Sequence, residues 1–161
     1  MRYTISLLTL LMFSCGRLPI DISSHSTKPV IHKTDEKFRS YINKFESYKG
    51  IRVNVPIVFK SNMPTTEAGV CTKWSSGYRE ITINPKIWYN LGYMKNLEEV
   101  ARQQLIDHEL GHCVLNLKHN DKMLANGHKA SIMHESLFSK YDLNYLHDNG
   151  DYYINELFSK L

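Results

Sequence analysis

The stretch from His108 to His119, HELGHCVLNLKH, constrains the fold of this chain more than any other feature of its sequence. It lies in a segment whose apolar residues recur every three or four positions, which predicts an amphipathic helix. We expect Asn96 to be the N-cap of this helix and Glu99 to bond back to it. Because residues four apart lie on one helix face, the side chains of His108 and His112 point to a common place.

Two imidazoles one helical turn apart are a ligand pair that suits Zn²⁺, which prefers tetrahedral coordination by nitrogen at about 2.0–2.1 Å. Glu109 is rotated away from this pair, so it can reach a water on the metal without coordinating the metal itself. A catalytic zinc needs a third protein ligand and one open position. Asn116 favours a left-handed helix end, after which the chain would turn back and offer His119 as that ligand.

At these residues the sequence resembles the metzincin clan of zinc endopeptidases, whose motif is HExxHxxGxxH followed by a methionine-containing turn. His108, Glu109 and His112 match that motif, and residues 131–133, Ser-Ile-Met, are similar to the turn that lies beneath the metal in the clan. The chain also looks similar to small bacterial lipoproteins of the metzincin-like metalloprotease type.

Two departures from the clan motif occur after the second histidine. His119 lies seven residues after His112, where the motif has six, so one extra residue precedes the expected helix end. Asn116 stands where the motif has glycine. In some metzincins a tyrosine two residues beyond the methionine helps at the metal, and Glu135 holds that position here. Tyr141 or Tyr145 is the candidate replacement.

The resemblance implies a zincin-like α+β fold, with a small twisted mixed sheet packed on the active-site helix and a C-terminal helix. It implies a zinc-dependent endopeptidase that hydrolyses a protein or peptide substrate, with Glu109 as the general base that activates water. The substrate would lie extended along an edge strand, for which Gly69 to Trp74 is the candidate, and would pair with it through main-chain hydrogen bonds.

Other third ligands remain open alternatives to His119. Glu135 follows His112 by 23 residues, a separation that is compatible with the gluzincin arrangement of two histidines and a downstream glutamate. Asp121 could complete the site as an aspartate does in some zincins. Three further histidines are expected to be exposed loop residues outside the site: His128, His134 and His147.

The rest of the chain alternates helical and strand patterns. Residues 35–49 have apolar positions at helical spacing and are followed by Gly50, which predicts a helix with a glycine stop. Residues 51–59 alternate as a half-buried strand, in which Pro56 indicates an edge or a bulge. Residues 69–74 and 78–83 predict a hairpin. Aromatic and apolar residues at helical spacing predict the C-terminal helix: Tyr152, Tyr153, Leu157 and Phe158.

At 161 residues the chain has room for one domain. Residues 1–15 predict a signal peptide, because the apolar run 5–13 is too short to cross a bilayer and the end at Cys15 resembles a bacterial lipobox. The alternative is an ordinary secretory signal with an incidental cysteine. Residues 16–33 predict a flexible tether, and residues 34–161 the catalytic domain. We therefore expect an exported protein of the bacterial cell envelope, held at the membrane by a lipid anchor on Cys15.

The two remaining cysteines, Cys71 and Cys113, would form a disulfide or stay as buried thiols, and the sequence leaves both outcomes open. The formal net charge of +4 is diffuse and forms no basic cluster with aromatics between, which predicts no nucleic-acid partner. Two rival functions also remain. One is an exported zinc-binding lipoprotein with a structural or adhesive role, and the other is a zinc hydrolase with a non-protein substrate.

Overall fold

The computed structural model of the chain describes residues 20–21, 32–91 and 96–161. The predicted signal peptide, its lipid anchor on Cys15 and most of the predicted tether lie outside the described residues. Within the described ranges, no helix is both long and apolar enough to span a membrane. The described part has the predicted α+β class, with a small mixed sheet and five α-helices.

The first helix follows the predicted pattern. A short 3₁₀ turn at Glu36–Phe38 leads into α1 at Arg39–Lys49. Gly50 ends this helix in the left-handed conformation with φ 69°, where a glycine carries no Cβ penalty. The predicted helix and its glycine stop are confirmed. The buried face of α1 consists of Tyr41, Ile42 and Phe45.

The sheet is built around an antiparallel hairpin. Its strands are β3 at Gly69–Lys73 and β4 at Arg79–Ile83, so the predicted hairpin is confirmed. On the far side of β4 lies β2, Ile57–Phe59, which runs parallel to β4. On the far side of β3 lies the two-residue β1, Ile20–Asp21, which runs parallel to β3. The strand order is β1-β3-β4-β2.

Two details of the sheet differ from the sequence predictions. The strand expected over residues 51–59 forms only at 57–59, because the N–H of Val53 donates to the Glu46 carboxylate at 2.8 Å instead of to a strand. Pro56 precedes the short strand, which is an edge strand as the proline indicated. The predicted edge strand β3 lies between β1 and β4, with its outer edge paired at Thr72 and Lys73.

After a short α2 at Pro85–Asn90, the central helix α3 spans Glu98–Cys113. It contacts β3, β4, α1 and α4, so nearly all of its residues after Ala101 are buried. The prediction that Asn96 is the N-cap of α3 is wrong. Asn96 lies outside the helix with φ 45°, and no side chain caps the N-terminus of α3. Glu99 accepts a hydrogen bond from the Tyr41 hydroxyl at 2.7 Å instead of bonding back to the helix start.

Two helices complete the chain. α4 spans Lys140–Asp148 and begins with a capping box formed by Ser139 and Asp142. α5 spans Gly150–Leu157 and confirms the predicted C-terminal helix. The core residues of this segment are Tyr153, Leu157 and Phe158, whereas Tyr152 is 42% exposed.

Cys71 of β3 and Cys113 at the end of α3 form a disulfide, with their Cα atoms 5.5 Å apart. This bond decides the alternative that the sequence leaves open. Both residues are buried, and the bond joins the sheet to the end of the helix that carries His108 and His112.

Removal of this disulfide tests its contribution to stability. It spans 42 residues of sequence, and the chain entropy that such a bridge removes from the unfolded state corresponds to about 4 kcal/mol. We expect the Cys71→Ser/Cys113→Ser double variant to lose about 2–4 kcal/mol in free energy of unfolding, measured by urea denaturation. Reduced wild-type protein is the control and should match the variant. Equal stability of oxidised wild type and variant would contradict the prediction.

Candidate metal centre

Three imidazoles converge at the C-terminal end of α3. The Nε2 atoms of His108 and His112 are 3.0 Å apart, and those of His112 and His119 are 3.1 Å apart. The ligand atoms of all three side chains lie within 4.8 Å of one another. Nitrogen ligands of one tetrahedral ion at about 2.0–2.1 Å lie about 3.4 Å apart, so this cluster could hold a metal ion.

Backbone carbonyls orient the two helical imidazoles. The Nδ1 atom of His108 is 2.8 Å from the carbonyl oxygen of Ile132, and that of His112 is 2.8 Å from the carbonyl oxygen of Leu117. Because a carbonyl only accepts, each Nδ1 carries the ring proton, and each Nε2 presents a lone pair. No proton therefore lies between the facing Nε2 atoms of His108 and His112, and these two atoms form no hydrogen bond with each other.

Burial keeps these two imidazoles neutral. It lowers the pKa of His108 to about 3 and the pKa of His112 to about 4, since each charged form would lose its hydration. A neutral imidazole is the form that binds a metal ion. Two acceptor nitrogens facing each other in a dry site are electrostatically unfavourable unless a cation lies between them.

The helix end accommodates the extra residue before His119 by widening. The N–H of Leu115 donates to the carbonyl of Leu110 at 3.3 Å, and the N–H of Leu117 donates to the carbonyl of Gly111 at 2.9 Å. These bonds reach five and six residues back, where a regular α-helix reaches four. Asn116 then takes the predicted left-handed conformation, with φ 56°, and the chain turns back toward His119.

The turn at residues 131–133, which the sequence offers as a candidate Met-turn, packs directly against the helix. A Cβ on Gly111 would lie 2.3 Å from the Met133 sulfur, so the methionine reaches this place only because residue 111 has no side chain. The turn also holds the loop after the third histidine, because the N–H of Asn120 donates to the Met133 carbonyl at 2.9 Å. One turn thus contacts both the helix and the loop that carry the imidazoles.

Glu109 is 1% exposed and packs where α3 meets β3. A Cβ on Gly69 would lie 2.7 Å from Oε1 of Glu109 and almost as close to its Cγ and Cδ. The glycine therefore leaves room for the whole carboxylate side chain between the helix and the strand. Glu109 neighbours His108 in sequence, and the structure places it on the side of the helix that faces β3.

The alternative third ligands lie elsewhere. The N–H of Glu135 donates to the Asp121 carboxylate at 2.8 Å, and both residues are exposed. Within the described residues, the one group of ligand side chains close enough to share an ion consists of the three histidines. Of the alternatives that the sequence left open, the structure thus brings His119 to the helical pair.

The prediction of exposed loop positions is wrong in one respect for each of the other three histidines, because two are not exposed and the third is not in a loop. His128 is 7% exposed, because its ring is stacked between Tyr141 and Tyr145 with centroids 3.9 Å and 4.0 Å away. The two tyrosines that were candidates for a role at the metal therefore pack on His128 instead. His134 is half-buried, 3.6 Å from Asp121. His147 is exposed as predicted, but it lies on α4.

Polar contacts that the sequence pattern does not indicate surround the turn. The Ser131 hydroxyl donates to Glu156 at 2.7 Å, and the Asn120 side-chain amide donates to the same carboxylate at 2.9 Å. Ser131 is fully buried, although serine in a short turn would ordinarily be exposed. No local pattern marks these three residues, because they come together across up to 36 positions of sequence.

Gly111→Ala tests the contact between the helix and Met133. The added methyl should displace the methionine sulfur, and overpacking of this kind costs about 1–3 kcal/mol in free energy of unfolding. In a Met133→Ala background the methyl has room, and the helix propensity of alanine then favours the change by about 1 kcal/mol. A double-mutant cycle by urea denaturation of metal-free protein measures the difference. An identical effect of Gly111→Ala in both backgrounds would contradict the contact.

Comparison with known proteins finds no match to this chain. No family model matches the chain, and neither does any curated protein or solved structure. The capacity of this centre to hold a metal ion therefore rests on the geometry of His108, His112 and His119.

Proposed function

We propose that this protein is a zinc-dependent endopeptidase of the metzincin type. His108, His112 and His119 hold the metal, and Glu109 is the general base. The observation that carries the proposal is the convergence of three imidazoles, with Nε2 of His112 3.0 Å from Nε2 of His108 and 3.1 Å from Nε2 of His119. The helix that bears the first two also bears a glutamate next to the first ligand. Three imidazoles with one position left open are the donor set of a hydrolytic zinc site.

Zinc is the best fit among the ions that imidazole binds. Hard cations such as Mg²⁺ and Ca²⁺ take oxygen ligands, whereas imidazole suits zinc and its transition-metal neighbours. Zinc accepts a tetrahedral arrangement of three nitrogens and one further ligand without strain. The neutral state of the two helical imidazoles favours binding of any of these ions, because neither ring needs to lose a proton to bind.

The residues of the chain divide the chemistry between them. When bound, zinc supplies a Lewis acid that polarises the scissile carbonyl and lowers the pKa of water. Glu109 takes a proton from the attacking water and returns it to the leaving amine. The carbonyls of Ile132 and Leu117 hold two imidazoles in the tautomer that presents Nε2. The buried position of Glu109 against Gly69 keeps the base on the side of the helix that faces β3.

The outer edge of β3 is the proposed binding site for the peptide. A peptide strand would add to this edge through main-chain hydrogen bonds, close to Glu109 at Gly69. β1 pairs with β3 at Thr72 and Lys73, which are farther along the same edge. A peptide that pairs with β3 beyond residue 71 must therefore displace β1 from Thr72 and Lys73.

Three observations favour this function and location over the rivals. The described residues bring three ligand side chains to one point, whereas a structural zinc site of an adhesive lipoprotein would usually have four. Within the described residues β1 pairs with only two residues of β3, and the remaining strand edge suits an extended peptide better than the small substrate of another hydrolase. The disulfide between Cys71 and Cys113 fits an oxidising compartment, which supports export. Anchoring through a lipid on Cys15 is a further part of the proposal.

Glu109→Gln tests the role of the base. We expect about one zinc per chain in both wild type and variant by elemental analysis, since Glu109 is not a ligand. Cleavage of a quenched fluorescent peptide library should fall by about 10²- to 10⁴-fold, the usual contribution of general acid–base catalysis.

Two further variants serve as controls for this experiment, one expected to lose zinc and one expected to keep it. His119→Ala should lose both zinc and cleavage, and Glu135→Gln, a change at an exposed glutamate outside the cluster, should keep both. Wild-type turnover by Glu109→Gln would remove Glu109 from its role. Zinc loss by Glu135→Gln in place of His119→Ala would exclude the proposed ligand set.

A pair of prolines at positions 20 and 21 tests the shared edge of β3. Proline lacks the N–H that strand pairing uses, so Ile20→Pro/Asp21→Pro should free Thr72 and Lys73 for the peptide. We expect a lower KM for long peptide substrates with kcat unchanged, measured by initial rates on the full chain. Short substrates that pair only with β3 residues before Thr72 provide the control, because their KM should stay the same. An unchanged KM for the long substrates would contradict competition at this edge.

A further inference from the structure

α5 contacts three consecutive residues that lead into the turn at Met133. The Tyr153 hydroxyl donates to the carbonyl of Lys129 at 2.6 Å, and the Tyr152 hydroxyl donates to the carbonyl of Ala130 at 2.9 Å. Glu156, one helical turn after Tyr152, accepts the hydroxyl proton of Ser131 at 2.7 Å. The C-terminal helix thus holds the segment before the turn at each residue in succession.

Glu156 differs from the two tyrosines because its second oxygen reaches another loop. Oε1 of Glu156 accepts a hydrogen bond from the Asn120 side chain at 2.9 Å, and Asn120 directly follows His119. The backbone closes a ring of hydrogen bonds. The N–H of Asn120 donates to the Met133 carbonyl at 2.9 Å, and the N–H of Met133 donates to the Ser131 hydroxyl at 3.0 Å.

The members of this ring lie beside the atoms that orient the imidazoles. Ile132, between Ser131 and Met133, contributes the carbonyl that accepts from His108 Nδ1. The Ser131 hydroxyl is fully buried, so loss of its partner would leave a desolvated donor at a cost in stability. Hydrogen bonds to an ionised carboxylate are also stronger than those between neutral groups. One carboxylate therefore connects the loop of the third imidazole to the carbonyl that holds the first.

We infer that Glu156 is a positioning residue of the metal centre, which holds the loop at Asn120 and the turn at Ser131 at the separation that brings His119 to the helical pair. Glu156 acts through Asn120 and Ser131 and does not bind the ion. The inference rests on the proposed metal site, but it is independent of whether that site cleaves peptides.

Cobalt binding to the full chain tests this role without any activity measurement. Co²⁺ takes the place of zinc, and its visible absorption spectrum reports the number and geometry of its ligands. We expect Glu156→Ala to weaken Co²⁺ binding by about 10- to 100-fold, as the loss of residues that orient ligands does elsewhere, and to change the absorption bands. Glu156→Gln should restore both, since its oxygen can still accept from the Ser131 hydroxyl while its amide donates to the side-chain oxygen of Asn120, once the Asn120 amide has flipped.

Two further variants separate positioning from general stability. Glu46→Ala is the matched control, because the Glu46 carboxylate also joins a helix to a loop, by accepting the Val53 N–H at 2.8 Å. It should lower the unfolding temperature but leave the Co²⁺ affinity and spectrum as in wild type. Asn120→Ala removes one arm of the Glu156 bridge and should weaken Co²⁺ binding in the same direction, even if Glu156→Ala fails to fold.

The outcomes are distinct. Wild-type Co²⁺ affinity and spectrum in Asn120→Ala, or in folded Glu156→Ala, would overturn the positioning role of Glu156. An equal loss of affinity in Glu46→Ala would overturn it as well, because the effect would then follow stability. Failure of the wild-type chain to bind Co²⁺ would overturn the metal centre and this inference together. Intact Co²⁺ responses in a chain that cleaves no peptide would overturn the proposed peptidase alone.

Discussion

The hydrogen bonds from two imidazoles to backbone carbonyls determine what this centre can do. The carbonyls of Ile132 and Leu117 hold the Nδ1 protons of His108 and His112, so both Nε2 lone pairs face a common point. Hydrogen bonds of this kind set the tautomer and the direction of a metal ligand. Burial of both rings then makes the neutral form dominant, and the pair could hold a cation together with His119.

This arrangement requires other parts of the chain to come very close to α3. Gly111 lets the Met133 turn reach the helix, and Gly69 lets Glu109 fit against β3. The disulfide from Cys71 to Cys113 holds the strand to the end of the same helix. Two of these contacts are possible because glycine has no side chain, and the third is a covalent bond. Such close packing leaves the helix little freedom to move relative to the sheet.

The sequence predicts the local parts of the fold and of the site. It does not predict the features that depend on contacts between residues far apart in the sequence. His108 and His112 follow from helical spacing, and the left-handed Asn116 follows from its side chain, so the path to His119 could be derived. The stacking of His128 between two tyrosines could not, because it depends on how α4 packs on a distant loop. The bridge made by Glu156 joins positions 25 and 36 residues away, and no periodicity encodes such a pairing.

The third imidazole explains why the distant contacts matter for the metal centre. Two ligands on one helix are close together in any state in which α3 is formed, whereas His119 joins them only when the helix end, the turn at Met133 and α5 are all in place. Binding of an ion to all three therefore adds its free energy to that tertiary arrangement. Because Glu156 already holds the loop and the turn together, less of the binding energy is needed to order His119.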